Sequence, residues 1–411
     1  MNKKILIIGN SAKEYALAKF LSDKNEVFVA PGSDTIKEFA TCIDIREDSV
    51  GELLEFVLEN GIDLTIPTSN KAINTDIVEI FNNNNLQIFA PTKQSAELIF
   101  DKAFLKKILY KLRIPTPKFG IFEKQNMALD YIKNVKVPFV LKTNEPSSAV
   151  VLTSKTTAKT IIDSAYLQKN QKLIIEDYAW GTPFTYYIIT DGYKALPIGS
   201  SISYKHSLDG DGGQLTSGMG ACSPNYKLSL ENEEKILNTV AYPILEFLEQ
   251  ENTPYLGILG IDGILTEENS IQIIGLQPFM QDCDCNAILN LIDFDIISLM
   301  ESCIIGAFSD EVEFIPLKDF SIVSLVLSCK NKDNHENIIE GLDLIDSDII
   351  FYPSVNKNKY LEYEAQTGPV LLLSSYSKTC SNAVNKLYND VESLNFKGLY
   401  YRKDICKKQE S

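Results

Sequence analysis

The feature that most restricts the fold is an alternation of short apolar runs with amphipathic stretches across the first hundred residues. Ile5–Ile8, Val27–Ala30, Leu64–Ile66 and Gln87–Ala90 read as buried strands. Glu14–Leu21, Val50–Asn60 and Ile77–Phe81 read as helices, the second by its spacing of Leu53, Leu54, Val57 and Leu58. Strands that alternate with helices form a parallel sheet with right-handed crossovers. In such sheets ligands bind beyond the strand C-termini, which here places attention on Gly9-Asn10 and Pro67-Thr68-Ser69.

A helix over Ser95–Leu112 follows, closed by Ile114-Pro115-Thr116-Pro117, where two nearby prolines mark a boundary. From Phe119 to about Thr190 the pattern is α+β, with strands expected at Val137–Lys142, Val150–Thr153, Leu173–Asp177 and Thr185–Thr190. Residues 209–220 carry five glycines and read as a loop, either approaching something closely or linking flexibly. A helix over Glu231–Gln250 precedes a hairpin, Gly257–Thr266 with Ile271–Leu276, and a last α+β segment runs from about Glu311 to Ile405.

Composition narrows the function. Hydrophobic residues make up 45% of the 411 and charged residues 23%, enough apolar surface for packed cores and against disorder. The net charge of −16 disfavours non-specific binding to nucleic acid or to a membrane surface. No run approaches the length of a membrane span, and Ile5–Ile8 is too short for an export signal, so a cytoplasmic protein with small-molecule partners is expected. Two histidines, His206 and His335, exclude multi-histidine metal sites, and eight cysteines without a Cys-x-x-Cys pair read as reduced thiols. With only Arg46, Arg113 and Arg402, bidentate guanidinium clamps on phosphate are scarce.

Several segments suit phosphate chemistry, and each has a plainer reading. Gly9-Asn10-Ser11-Ala12-Lys13 is either an anion-holding turn at a helix N-terminus or an ordinary βα turn. Lys102, early in a helix, and Lys142, ending an apolar strand, either meet in a cleft over a polyphosphate or point to water. Glu176, Asp177 and Tyr178 end another apolar strand, which either offers a backbone edge to an adenine and a carboxylate to a ribose or simply stops there.

Together these pieces resemble the phosphoribosylamine–glycine ligase family of ATP-grasp enzymes. The resemblance rests on Ile7-Ile8-Gly9-Asn10 with Glu14, Ile88-Phe89-Ala90-Pro91-Thr92-Lys93, Asp101-Lys102-Ala103-Phe104, Asp209-Gly210-Asp211 through Pro224, and Phe396 through Ile405. It implies a Rossmann-like domain over residues 1–100, an ATP-grasp core over 101–310 with a lid near 118–190, and a C-terminal α+β domain over 311–411. It implies ATP and Mg²⁺, glycine and 5-phosphoribosylamine as substrates, and glycyl phosphate as the intermediate. On the matching positions, Lys102, Lys142, Glu176, Asp177 and Tyr178 hold ATP. Lys205 and Thr216 act in catalysis. Gly9, Asn10, Lys13, Asp211, Gly218, Met219, Gly220, Arg402 and Asp404 hold substrate.

The sequence departs from the family where the chemistry lies. Lys142-Thr143-Asn144-Glu145-Pro146 replaces a glycine- and lysine-rich cover over phosphate. Where the family binds magnesium with Glu and Asn, this chain has Gly275 and Gln277, and Phe279 replaces an Arg. Pairing Thr266 with Ile271 would set Asp262 opposite Gly275, so Asp262 either replaces the lost metal ligand beside Gln277, with Asp282 or Asp284 as further acids, or merely solvates a drifted surface. Three readings follow: a ligase with a rewired metal site, a non-catalytic relative that binds a nucleotide, a sugar phosphate or a partner protein, and a ligase with changed substrates.

Overall fold

The computed structural model describes residues 2–144, 148–167, 172–306, 308, 314–330 and 337–407. His335 and the Glu145-Pro146 replacement lie outside the described residues.

The N-terminal strands β1 (Lys4–Gly9), β2 (Glu26–Pro31), β3 (Thr41–Cys42) and β4 (Leu64–Pro67) form a parallel sheet in the order β3-β2-β1-β4. Ile5 to Ile8 are wholly buried, as an apolar run in a doubly covered sheet requires. Gln87–Ala90 is not a full strand. It makes one bridge, through Thr65 N to the Gln87 carbonyl and Phe89 N to the Thr65 carbonyl, and Pro91 then removes the next donor. The edge strand Thr41–Cys42 was too short to carry a period.

The expected helix Ser95–Leu112 is broken. Glu97–Phe100 and Lys102–Lys111 are separate helices because Asp101 is extended (φ −96°, ψ 93°) and its carboxylate accepts from Ala103 N and Phe104 N. Lys102 therefore opens the second helix.

A four-stranded antiparallel sheet follows: β5 (Phe119–Phe122), β6 (Phe139–Lys142), β7 (Val150–Leu152) and β8 (Leu173–Asp177), in the order β5-β8-β6-β7. Helices Gln125–Asn134 and Lys155–Leu167 contribute Ala128, Ile132, Ala158 and Ile162 to its own small core. Strand β9 (Thr182–Thr190) belongs to a different, nine-stranded sheet.

That large sheet contains β9, β10 (Ala195–Leu208), β11 (Gly212–Ser223), β12 (Gly257–Leu265), β13 (Ile271–Gln277), β14 (Ser321–Cys329) and β15 (Asp348–Phe351). A small hairpin, β16 (Val355–Lys357) with β17 (Tyr363–Ala365), stands apart. Strands β18 (Gly368–Ser377) and β19 (Leu399–Tyr400) complete the large sheet. Its order is β13-β12-β9-β10-β11-β14-β18-β15, with β19 beside β14. The antiparallel pair β11–β14 carries it without a break into the C-terminal segment.

The glycine-rich segment is thus strand, not loop. Only Asp209–Asp211 turns, and Gly212–Ser223 pairs with β10 on one side and, from Gly220, with β14 on the other. Its glycines serve irregular pairing and close approach. The β10–β11 register shifts twice, and a Cβ on Gly220 would lie 2.6 Å from the Ser324 carbonyl oxygen.

Candidate active site

Lys142 ends β6, and its ammonium reaches two parts of the molecule. It lies 3.1 Å from Glu176 Oε2 on β8 and donates to the Ile274 carbonyl of β13 at 3.2 Å. That carbonyl is available because Ile274 is the extra residue of a bulge: Asp262 pairs with Gly275, but Gly263 pairs with Ile273. The expected pairing of Thr266 with Ile271 does not form; Leu265 pairs with Ile271 instead, and the bulge restores the pairing of Asp262 with Gly275.

Glu176 has a second cation, Lys106 Nζ, 3.2 Å from Oε1, with both side chains only 2% exposed. Lys106 also donates to Thr116 Oγ1 at 2.6 Å. Burial presses the Lys106 ammonium down to about 8 against the pull of Glu176. Burial raises the Glu176 carboxyl, but Lys142 and Lys106 outweigh it and hold the group below its ordinary range. Glu176 is therefore an anchor between two lysines. Lys106 was missed because it lies on the apolar face of its helix, where the sequence shows only one cation among several.

Lys102 Nζ donates to the Thr143 carbonyl at 2.9 Å and to Ser148 Oγ at 3.1 Å, so one expected ATP lysine ties down residues that follow the other. The Asp177 amide is used by the Lys118 carbonyl. Tyr178 packs edge-on against Trp180, with ring centroids 4.7 Å apart.

A third group lies deeper. Buried Asp262 accepts from Thr185 Oγ1 (2.7 Å), Gln277 Nε2 (2.7 Å), Lys205 Nζ (3.1 Å) and Gln281 Nε2 (3.2 Å). Burial pushes its carboxyl up, but Lys205 and the hydrogen bonds from Thr185 and Gln277 outweigh it and hold it low. Thr216 Oγ1 donates to the Lys205 carbonyl and accepts from Gly218 N, which ties β11 to β10 beside this lysine. Gly218 has φ +140°, and a Cβ there would lie 2.8 Å from Cys283 Sγ. Met219 is buried next to it.

These residues do not fit a divalent ion. Such an ion needs several hard oxygens with lone pairs turned toward it. Both Asp262 oxygens already face protein donors, one of them a cation, and Gly275 brings no side chain. Among the described residues no three acids or histidines gather here.

Nearby Asp284 is wholly buried and accepts from Tyr187 OH at 2.6 Å. Burial lifts its carboxyl to about 6. Because the folded value lies above the ordinary 3.8, the folded state binds more protons between those values, and stability falls as pH rises from about 4 to about 6. Asp284→Asn is expected to be more stable than the parent at pH 7.5 by roughly 1–3 kcal/mol, and equal to it below about pH 4. Urea unfolding at both pH values checks this, and equal stability at pH 7.5 would reject it.

At the end of β1, Gly9 has φ +153°, and a Cβ there would lie 2.3 Å from Glu14 Oε1. Buried Glu14 accepts from Thr68 and Ser11. Burial alone would lower the Lys13 ammonium, but Glu14 and then Asp282 hold it above its ordinary value. Asp282 Oδ1 accepts from Ser11 Oγ (2.6 Å) and Lys13 N (3.1 Å), so the anion at the start of helix Ala12–Ser22 is the chain's own carboxylate. Asn10 Oδ1 is buried with no hydrogen-bond partner among the described residues.

The expected C-terminal site residues form a clasp. Arg402, with 0% exposure, donates through Nε and Nη2 to the two Asp404 oxygens (2.8 Å each), through Nη2 to Asp211 (2.9 Å) and through Nη1 to the His206 carbonyl (3.0 Å). Arg402→Lys is expected to cost about 1–3 kcal/mol, because a point ammonium cannot replace the fork, and a shift in the urea midpoint measures it.

Comparison with known proteins bears on the whole chain. The family model for the phosphoribosylglycinamide synthetase N domain matches residues 3–98, and that for the phosphoribosylglycinamide synthetase ATP-grasp (A) domain matches residues 100–285. The chain is 28% identical to phosphoribosylamine–glycine ligase of Clostridium acetobutylicum, covering 98% of this chain and 99% of that one. It is 28% identical to the Halalkalibacterium halodurans protein of the same name, covering 98% and 96%. Among solved structures, phosphoribosylamine–glycine ligase from Thermotoga maritima aligns with TM-score 0.81 at 20% identity, over 98% of this chain and all of that one. Biotin carboxylase from Campylobacter jejuni aligns with TM-score 0.71 at 15% identity, over 97% and 93%. No helix among the described residues is long and apolar enough to cross a membrane.

Proposed function

Because the chain belongs to the phosphoribosylglycinamide synthetase family, we propose that it is an ATP-dependent carboxylate–amine ligase joining glycine to 5-phosphoribosylamine. What supports this is the reach of Lys142 from β6 to the Ile274 carbonyl of β13, which links the small sheet to the large one, with Lys102 Nζ bound to the carbonyl of the next residue, Thr143.

In this reading the glycine carboxylate attacks the terminal phosphorus of ATP, giving glycyl phosphate and ADP, and the amine then displaces phosphate. Lys142 and Lys102 offset the charge that gathers on the phosphates, and Glu176 fixes Lys142 in place. Asp177 and Tyr178 border the adenine. Lys205, anchored on Asp262, faces the anionic oxygens of the acyl phosphate, and Thr216 with Gly218–Gly220 holds the neighbouring backbone. Gly9, Asn10 and Lys13 take the amine substrate, where the Asn10 oxygen, with no partner among the described residues, is a ready acceptor. Asp211, Arg402 and Asp404 support the substrate strand through their clasp.

The family implies ATP with divalent ions, yet Asp262, already engaged by Gln277 and three other protein donors, does not suit one. That misfit favours one second reading, a relative that binds nucleotide without turning it over. One experiment separates the two: ATP, magnesium, glycine and freshly prepared phosphoribosylamine are supplied, and ADP release and ATP binding are followed. Release that depends on both substrates supports the ligase. ATP binding without release supports the second reading.

A further inference from the structure

Three thiols from distant parts of the chain meet away from the cleft. Cys222 is near the end of β11, Cys380 is the first residue of helix Cys380–Glu392, and Cys406 lies in the turn after the Arg402 clasp. Their sulfur atoms all lie within 4.8 Å of one another, and Cys222 and Cys380 are 3.3 Å apart. Cys222 and Cys406 are buried, and Cys380 is half-buried on the solvent side. The backbone around them is fixed. Cys406 N donates to Tyr204 OH at 3.1 Å, and Thr379 caps the helix by accepting from Asn382 N.

The geometry suits a metal better than a simple pair. A zinc ion bound at about 2.3 Å from each sulfur sets those sulfurs roughly 3.8–4.0 Å apart, inside the observed span. The donors are all soft, with no carboxylate or imidazole in the group, which selects zinc over magnesium or calcium. No other group of three or more possible ligands occurs among the described residues. We propose that Cys222, Cys380 and Cys406 form a three-thiolate site for one zinc ion, with water as the fourth ligand on the Cys380 side. Binding replaces S–H bonds by S–Zn bonds and passes the protons to solvent, with no change in oxidation state. The ion would tie the C-terminal turn to β11 and so stiffen the strand that carries Thr216 and Gly218.

The test uses the full chain, reduced and stripped with a chelator, then titrated with zinc against a chromophoric competitor. One zinc per chain is expected, with a rise in the thermal midpoint. Cys380→Ser, at the half-exposed position, is expected to fold as the parent does without zinc and to lose affinity about 100-fold or more. Parent and Cys380→Ser taking up zinc equally would overturn the proposal, since the metal would then be adventitious. So would a parent that retains no zinc, including one that under mild oxidation forms a Cys222–Cys380 disulfide instead.

Discussion

Replacing Glu176 by alanine is expected to remove about 3–5 kcal/mol of stability at pH 7 and to weaken ATP binding at least about tenfold. The carboxylate is the shared counter-charge of Lys106 and Lys142, and all three meet where water is nearly excluded. Without it two ammonium groups face each other, and Lys106 has only a threonine hydroxyl left among its polar contacts described above. Lys142 is then free to turn away from the Ile274 carbonyl and from the phosphates it is proposed to meet. The pH dependence has a definite sign. Burial already holds Lys106 at about 8 when folded, below its ordinary 10.5, so the unfolded chain binds more protons between those values and stability through this group rises with pH there. Loss of Glu176 moves the start of that window lower, so the deficit of the variant should shrink between pH 7 and pH 9. Urea unfolding at the two pH values and a nucleotide titration measure both effects. A variant within 1 kcal/mol of the parent would show that the lysines do not depend on this carboxylate.

Lys205→Met is expected to lower kcat about 10²- to 10³-fold, the usual loss when one preorganised donor to a developing oxyanion is removed. The substitution also strips Asp262 of its only cation within hydrogen-bond reach among the described residues, leaving Thr185, Gln277 and Gln281 as donors. In the parent the Asp262 carboxyl lies below its ordinary range, so it adds stability above that range that is lost as pH falls through the folded value. In the variant that contribution shrinks. ADP release at saturating substrates, together with unfolding at pH 7 and at about pH 3, below the ordinary carboxylate value, tests both parts. A kcat within threefold of the parent would sink the role given to Lys205.

Much of the molecule could be read from residue order alone, for identifiable reasons. Continuous apolar runs such as Ile5–Ile8 have few folded solutions, and the small sheet announced itself through Phe139–Lys142 and Leu173–Asp177. The pairing of Asp262 with Gly275 was also legible, although by a compensation: Leu265 rather than Thr266 stands opposite Ile271, and the Ile274 bulge absorbs the one-residue difference. What stayed hidden were features set by tertiary neighbours. Glycine density in 209–220 concealed a strand because pairing from β10 and β14 satisfies its backbone in spite of low strand propensity. Nothing local in Asp284 or Lys106 shows that burial will move their proton affinities. The role of Asp282 at the start of helix Ala12–Ser22 depends on a contact between residues 269 positions apart.

The large sheet has a practical consequence for anyone dissecting this chain. A fragment ending before β14 would strip Gly220–Ser223 of their outer neighbour and present a raw flank of unpaired amides and carbonyls. Such a fragment is expected to clump with its own copies, so the part proposed to carry the chemistry makes a poor free-standing unit. Deletion mapping in this protein would report insolubility rather than function.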